Sequence, residues 1–256
     1  TEGAVCSYYD NIIKDYYAYA GEDIKAGDLV EYINGLAGKT DYGESVDTQL
    51  STETYTGYTI SAVALDENRV FIAHSYSSSY NLYGIVVSIN GATITYGTDT
   101  VLDTNSRAGF TISTCLLPNG NVFIAHDYST NNYLYGIVVS IDGTTIIVGT
   151  NTSISNNKIA GYRISACLLP NGNVFIAHSY GSSWYLYGIV VSISGTTITK
   201  GTDTSLVTSN AGDVISTCLL PNGNVFIAHN YSSSYYLYGI VVSISGTAIT
   251  QGSDTT

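Results

Sequence analysis

The chain has 256 residues, 45% of them hydrophobic and only 11% charged, yet its formal net charge is −12. The acidic balance argues against a nucleic-acid partner, for which a basic stripe is expected, and no apolar run is long enough to cross a bilayer. With 24 Tyr, 26 Gly and only 3 Pro, the composition is that of a β-rich protein rather than a disordered chain.

Residues 1–46 do not repeat and read as a small N-terminal β appendage or docking arm. Cys6–Tyr19 is rich in tyrosine, and Ile24–Asn34 predicts a turn at Gly27 and Asp28 followed by a strand. No secretory signal is present. With Thr1 first and no methionine in the chain, the true start is expected to be missing or processed.

From Asp47 a period takes over. The four histidines, His74, His126, His178 and His229, lie 52, 52 and 51 residues apart, and a fixed period near fifty residues marks a repeat architecture. Each repeat predicts four strands. In the third these are Ile164–Leu169, Asn173–Tyr180, Tyr185–Ile193 and Thr196–Thr204. The first hairpin turn is Pro-Asn-Gly-Asn at 118–121, 170–173 and 221–224, where Asn-Gly suits the positive φ angles of a two-residue hairpin. The first repeat has Asp66-Glu67-Asn68-Arg69 instead, a weaker turn.

Both faces of these strands are apolar. Val174, Ile176, His178 and Tyr180 alternate with Phe175 and Ala177, so each sheet needs a neighbour on both sides. Antiparallel four-stranded sheets in series predict an all-β fold, a β-propeller of four blades of ~52 residues, four-stranded, with a small N-terminal β appendage. The expected domains are 1–46 for the arm and 47–256 for the propeller. The blades fall at about 57–108, 109–160, 161–211 and 212–256, closed by a strand at 47–52, because Asp47–Thr52 matches Asp99–Thr104. A larger ring, a ring completed by another chain, and a β-solenoid are the alternatives. Cys115, Cys167 and Cys218 occupy one repeat position that holds Val63 in the first blade. They read as buried free thiols, because stacked sheets hold them too far apart to bridge.

The repeat Ile215–Thr250, behind Ala20–Gly35, resembles uncharacterised repeat proteins of Firmicutes bacteriophages and prophages. The resemblance covers most of the chain and brings no catalytic signature. It implies a virion component at the tail or particle surface, assembled in the bacterial host cytoplasm.

No chemistry-bearing motif is found. No carboxylate is seen to accompany the histidines at a fixed offset, so they read as buried imidazoles bonded to backbone or tyrosine, without metal. No acidic residue is constant across the repeats as paired-carboxylate glycoside hydrolysis would need. The expectation is a non-enzymatic protein without a cofactor. The loop between the second and third strands varies most and is built from Tyr, Ser, Asn and Gly, the residues of adaptable recognition surfaces. Its candidate ligand contacts are Tyr80, Asn81, Asn132, Tyr133, Trp184, Tyr185, Tyr235 and Tyr236. Tyr76, Tyr128, Tyr180 and Tyr231 never vary and read as structural. The expected function is host attachment, with the blade loops binding a bacterial surface glycan. The alternative is a purely structural decoration or tail component contacting other virion proteins. Nucleic acid and membrane insertion are not expected, and a multi-copy assembly is.

Overall fold

The protein is described from a computed structural model, which places residues 48–51, 56–76, 80–105, 107–128, 132–157, 159–181, 183–231 and 236–252, together with four short backbone segments near the N-terminus. Those segments form two antiparallel pairs, β1 (Ala4–Ser7) with β2 (Asp15–Ala18), and β3 (Val30–Ile33) with β4 (Leu36–Lys39). Backbone packing divides the chain into one unit of residues 1–48 with 90–93 and another of 49–89 with 94–256.

The second unit is four antiparallel sheets. The first comprises β5 (Thr56–Ala64), β6 (Arg69–Tyr76), β7 (Leu82–Asn90), β8 (Thr93–Tyr96) and β9 (Thr100–Asp103). The second comprises β10 (Ile112–Leu116), β11 (Val122–Tyr128), β12 (Tyr133–Asp142), β13 (Thr145–Val148) and β14 (Thr152–Ser155). The third repeats this with β15 (Ile164–Leu168), β16 (Val174–Tyr180), β17 (Tyr185–Ser194), β18 (Thr197–Lys200) and β19 (Thr204–Val207). The fourth has β20 (Ile215–Leu219), β21 (Val225–Asn230), β22 (Leu237–Ser245) and β23 (Ala248–Gln251).

Two sequence expectations need correcting. The single fourth strand at 196–204 is two strands: β18 pairs with Val191–Ser194 of β17, and β19 pairs with its Leu186–Gly188. The break falls at Gly201, whose N–H donates to the Val190 carbonyl at 2.9 Å; a Cβ there would lie 2.7 Å from that same oxygen. The first hairpin is also not a two-residue turn. Within the turn 117–121 of the second sheet only Gly120 has positive φ (+82°), its N–H donates to the Leu117 carbonyl, and Leu117 N–H donates to that of Asn121. This is a type I turn with Pro118 at its second position, followed by a left-handed residue. In the first sheet Asp66 does the equivalent work: it accepts from Asn68 N–H at 2.9 Å and pairs with Arg69 Nε at 2.7 Å.

The alternating faces decide the packing. Phe123, Ala125, Leu134 and Val138 of the second sheet are buried against Val174, Ile176, Ile189 and Val191 of the third. Phe71 and its neighbours pack in the same way on Ile124 and Ile137, and Phe175 packs on Ile227 and Ile240. Ile154 and its counterparts Leu102 and Leu206, on the extra strands β14, β9 and β19, lie in these same layers. Each junction also carries a hydrogen bond between first strands: Ser61 Oγ accepts from Thr114 N–H at 3.1 Å, Ser113 from Ala166 at 3.0 Å, and Ser165 from Thr217 at 2.9 Å. The first strands β5, β10, β15 and β20 thus run side by side in series.

The two end sheets each keep apolar side chains exposed. Leu237, Val241 and Leu219 are exposed on the fourth sheet, and Ile60 and Tyr58 on the first. The expected closing strand lies partly outside the described residues, at Asp47 and Thr52. Of its described residues, 48–51, Gln49, Leu50 and Ser51 line a groove over Ile60, Ile72 and Ile85 of the first sheet. The cysteines follow the same gradient: Cys115 is buried, Cys167 half-buried and Cys218 exposed, all as free thiols. Burial, with a neighbouring cysteine adding to it, pushes the Cys115 thiol up to about 12.

The glycine opposite Ala125 is set by the phenylalanine. A Cβ on Gly136 would lie 2.7 Å from Ile154 Cδ1 and 2.8 Å from Phe123 Cε2, and overpacking a filled core costs about 1–3 kcal/mol. Gly136→Ala should therefore lower unfolding free energy by about that amount in denaturant titration; an unchanged midpoint would show that the ring and Ile154 relax freely.

Candidate functional site

The loops between second and third strands lie beside the start of the next repeat. There the carbonyls of Tyr80, Asn132 and Trp184 each accept a hydrogen bond, from the N–H of Gly109, Gly161 and Gly212 respectively, at 2.6 Å in every case. All three acceptor residues have left-handed backbone, with φ of +54°, +52° and +53°. Asparagine tolerates that conformation, whereas a bulky aromatic side chain in it is an outlier. Strained positions of this kind persist where the surroundings hold them, and they cluster at functional sites.

Tyr80 and Trp184 belong to a strip of rings that crosses three repeats. Tyr58 meets Tyr80 edge-on with ring centroids 5.2 Å apart, Tyr80 meets Phe110 at 5.5 Å, Phe110 meets Tyr162 at 5.5 Å, and Tyr162 meets Trp184 at 4.6 Å. Arg107 lies over Phe110 at 4.6 Å and Arg163 over Tyr162 at 4.2 Å. Such pairs add about 0.5–1.5 kcal/mol beyond area burial. Tyr58 is exposed and the other four rings are half-buried. Asn132 takes the place of an aromatic residue beside the middle of the strip; it is buried, and its Oδ1 has no partner among the described residues.

The sequence candidates divide on this geometry. Tyr80 and Trp184 are in the strip. Asn81 precedes β7, and Tyr133 and Tyr185 open β12 and β17, all half-buried. Tyr236 is exposed, and Tyr235 lies outside the described residues. Tyr58, Phe110 and Tyr162 were missed, although they share one repeat position, directly after Gly57, Gly109 and Gly161. The fourth repeat has Asp213 there, and Arg163 turns to it, donating from Nε to its carbonyl at 2.6 Å. Tyr128 stacks on Tyr135 at 4.1 Å and Tyr180 on Tyr187 at 4.0 Å, so the invariant tyrosines pair within their own sheets.

Among the described residues, His74, His126 and His178 do have a side-chain partner at a fixed offset, contrary to the sequence reading; the matching position for His229, 254, lies outside them. The partner lies 25 residues on, across the sheet. His74 Nε2 is 2.9 Å from Asp99 Oδ1, His178 Nε2 is 2.9 Å from Asp203 Oδ1, and His126 Nε2 is 3.1 Å from Asn151 Oδ1. Nδ1 of His126 and of His178 donates to the carbonyl of the following residue at 2.7 Å. Asn151 in the second sheet shows that this position holds a hydrogen-bonding side chain and does not need a charge. Burial pushes the His126 imidazole down. Burial raises Asp203, but bonds from His178, Ser155 and Asn157 outweigh it and leave the carboxyl below its usual range. Among the described residues no three His, Cys, Asp or Glu side chains gather as a metal site would need.

Comparison with known proteins bears on fold alone. No protein-family model matches the chain, and no curated protein does. A solved structure described as NanB plus Optactamide is 16% identical over 68% of this chain and 27% of its own, with a TM-score of 0.52. The match spans about a quarter of that protein's length. A fucose lectin from Kordia zhangzhouensis in complex with methyl-fucoside is 14% identical over 56% of this chain and 97% of its own, with a TM-score of only 0.32. The fold is all-β, built of four repeated antiparallel sheets of four or five strands in a propeller-like repeat architecture.

Near the end of β11 a carboxyl is buried beside the loop edge. Asp127 accepts from Thr111 N–H at 3.1 Å through Oδ1, while Oδ2 is buried without a partner among the described residues. Burial pushes this carboxyl up from 3.8 to about 7. The folded state then holds the proton more tightly than the unfolded chain, so stability from this group falls as pH rises between those values. Asp127→Asn keeps the acceptor, as Asn230 does for Val214 N–H in the fourth sheet. It should raise the melting temperature at about pH 8 and flatten its pH dependence between about 4 and 7; a lower melting temperature at high pH would show that the charge is needed.

Proposed function

We propose that this is a non-enzymatic binding protein that contacts a glycan of the bacterial surface along the aromatic strip, as a component of a phage virion. The observation that carries the reading is the strip of Tyr58, Tyr80, Phe110, Tyr162 and Trp184. Half-exposed rings offer flat apolar faces to the C–H face of a sugar, and the arginines offer hydrogen bonds beside them. Shallow sites of this kind are individually weak, and a multi-copy particle makes them effective by avidity. The phage assignment rests on the sequence resemblance of the repeats. Of the titratable groups paired in the sheets, His178 and Asp203 are buried or half-buried and hydrogen-bonded within the blade, which suits packing rather than bond cleavage.

A second reading is favoured by the apolar end sheets: a structural virion component held by protein contacts, with the strip as a packing edge. The two separate in one experiment. Tyr80→Ala, Tyr162→Ala and Trp184→Ala combined should reduce retention on a bacterial cell-wall glycan array at least tenfold, about 1.4 kcal/mol, while circular dichroism still reports a folded β protein. Unchanged retention by a folded triple variant would remove the glycan reading and leave the structural one.

A further inference from the structure

Three times along the chain, a face bearing phenylalanine on one sheet is buried on a face bearing isoleucine on the next. The two unpartnered end faces are the two halves of that same contact. On the first sheet, Leu50, Ile60, Ile72 and Ile85 line a groove of about 300 Å³. The three isoleucines are 52 residues before Ile112, Ile124 and Ile137, which receive Phe71, Ala73, Leu82 and Val86 at the first junction; Leu50 is 52 residues before Leu102, which lies on the inserting side there, beside Phe71. On the fourth sheet, the counterparts of those four inserting residues are Phe226, Ala228, Leu237 and Val241. The first-sheet set is fully buried, whereas Leu237 is 76% exposed and Val241 37%.

The hydrogen-bonding groups repeat as well. Ser216, on the exposed side of β20, stands where Ser61, Ser113 and Ser165 accept an N–H from the next sheet. Ala62 stands where Thr114, Ala166 and Thr217 donate it. One end therefore carries the donor and the inserting side chains' receptor, and the other the acceptor and the inserting side chains.

The geometry points to a second copy of this chain as the occupant: the fourth sheet of one copy packs, head to tail, on the first sheet of another. A head-to-tail contact either closes or grows a filament. Two copies closing through two such contacts make eight blades, within the range of known propellers. Closure also removes both exposed apolar faces. This inference stands independently of the glycan reading.

The test uses two single variants at exposed positions, Ile60→Glu on one end face and Leu237→Glu on the other. Wild type should sediment as a species of twice the 27.2 kDa chain mass. Either variant alone should be a folded single copy, with self-association weakened roughly a hundredfold or more, as expected for a charge driven into an apolar interface. An equimolar mixture of the two should recover a one-to-one pair, because each supplies the face the other has lost. A wild type that remains a single copy would overturn the inference, as would an assembly that survives either substitution or variants that fail to pair on mixing.

Discussion

The structure depends on one contact, made three times: a phenylalanine ring of one sheet lying over a glycine of its own third strand and pressed against isoleucines of the next. Gly136 leaves the space that Phe123 occupies, and Gly188 does so for Phe175. The ring then presents a flat surface against which Ile176 and Ile189, or Ile227 and Ile240, are buried. No sheet here has a polar face to show to water. A four-stranded sheet with two apolar faces cannot persist alone, so each repeat is finished only by its neighbours.

The rest follows from that dependence. The break at Gly201 lets β19 bring Leu206 into the junction layer, and the corresponding breaks do the same for Leu102 and Ile154. The buried histidine ties β16 to the segment just before β19 through Asp203, and so fixes where the extra strand starts. The cysteine position grades from buried to exposed along the array because its surroundings do, not because its sequence context changes. At the loop edge, residues from one repeat meet the glycine-led start of the next, and this brings Tyr80, Phe110, Tyr162 and Trp184 into one strip. Packing and the candidate recognition edge are thus consequences of the same stacking.

The period, the strands and the two-faced pattern were legible in the sequence because strand alternation and a 52-residue repeat are local or strictly periodic signals. Tyr80 and Trp184 were found through loop variability. Tyr58, Phe110 and Tyr162 were not, since they sit in an otherwise constant segment and gain meaning only when the loop of the preceding repeat is placed beside them. The carboxylate partner of His178 was overlooked because Asn151 breaks the acid pattern; the shared hydrogen-bonding side chain 25 residues on, rather than the charge, was the signal. The open ends were legible only as an alternative, a ring completed by another chain. Whether four sheets close a ring depends on the angle between neighbouring sheets, which side-chain packing sets and no single residue encodes.

The most direct measurement of the central dependence is native-state hydrogen exchange on protein dilute enough to be single copies. If a sheet is protected to the extent that both its faces are covered, the amides of β11 and β16 should exchange only through global unfolding. Those of β21 and β22, whose sheet has one bare face, should exchange through a cheaper local opening. Equal protection of the inner sheets and the fourth sheet in the single copy would contradict the account, because the fourth sheet would then be as stable with one neighbour as the inner sheets are with two.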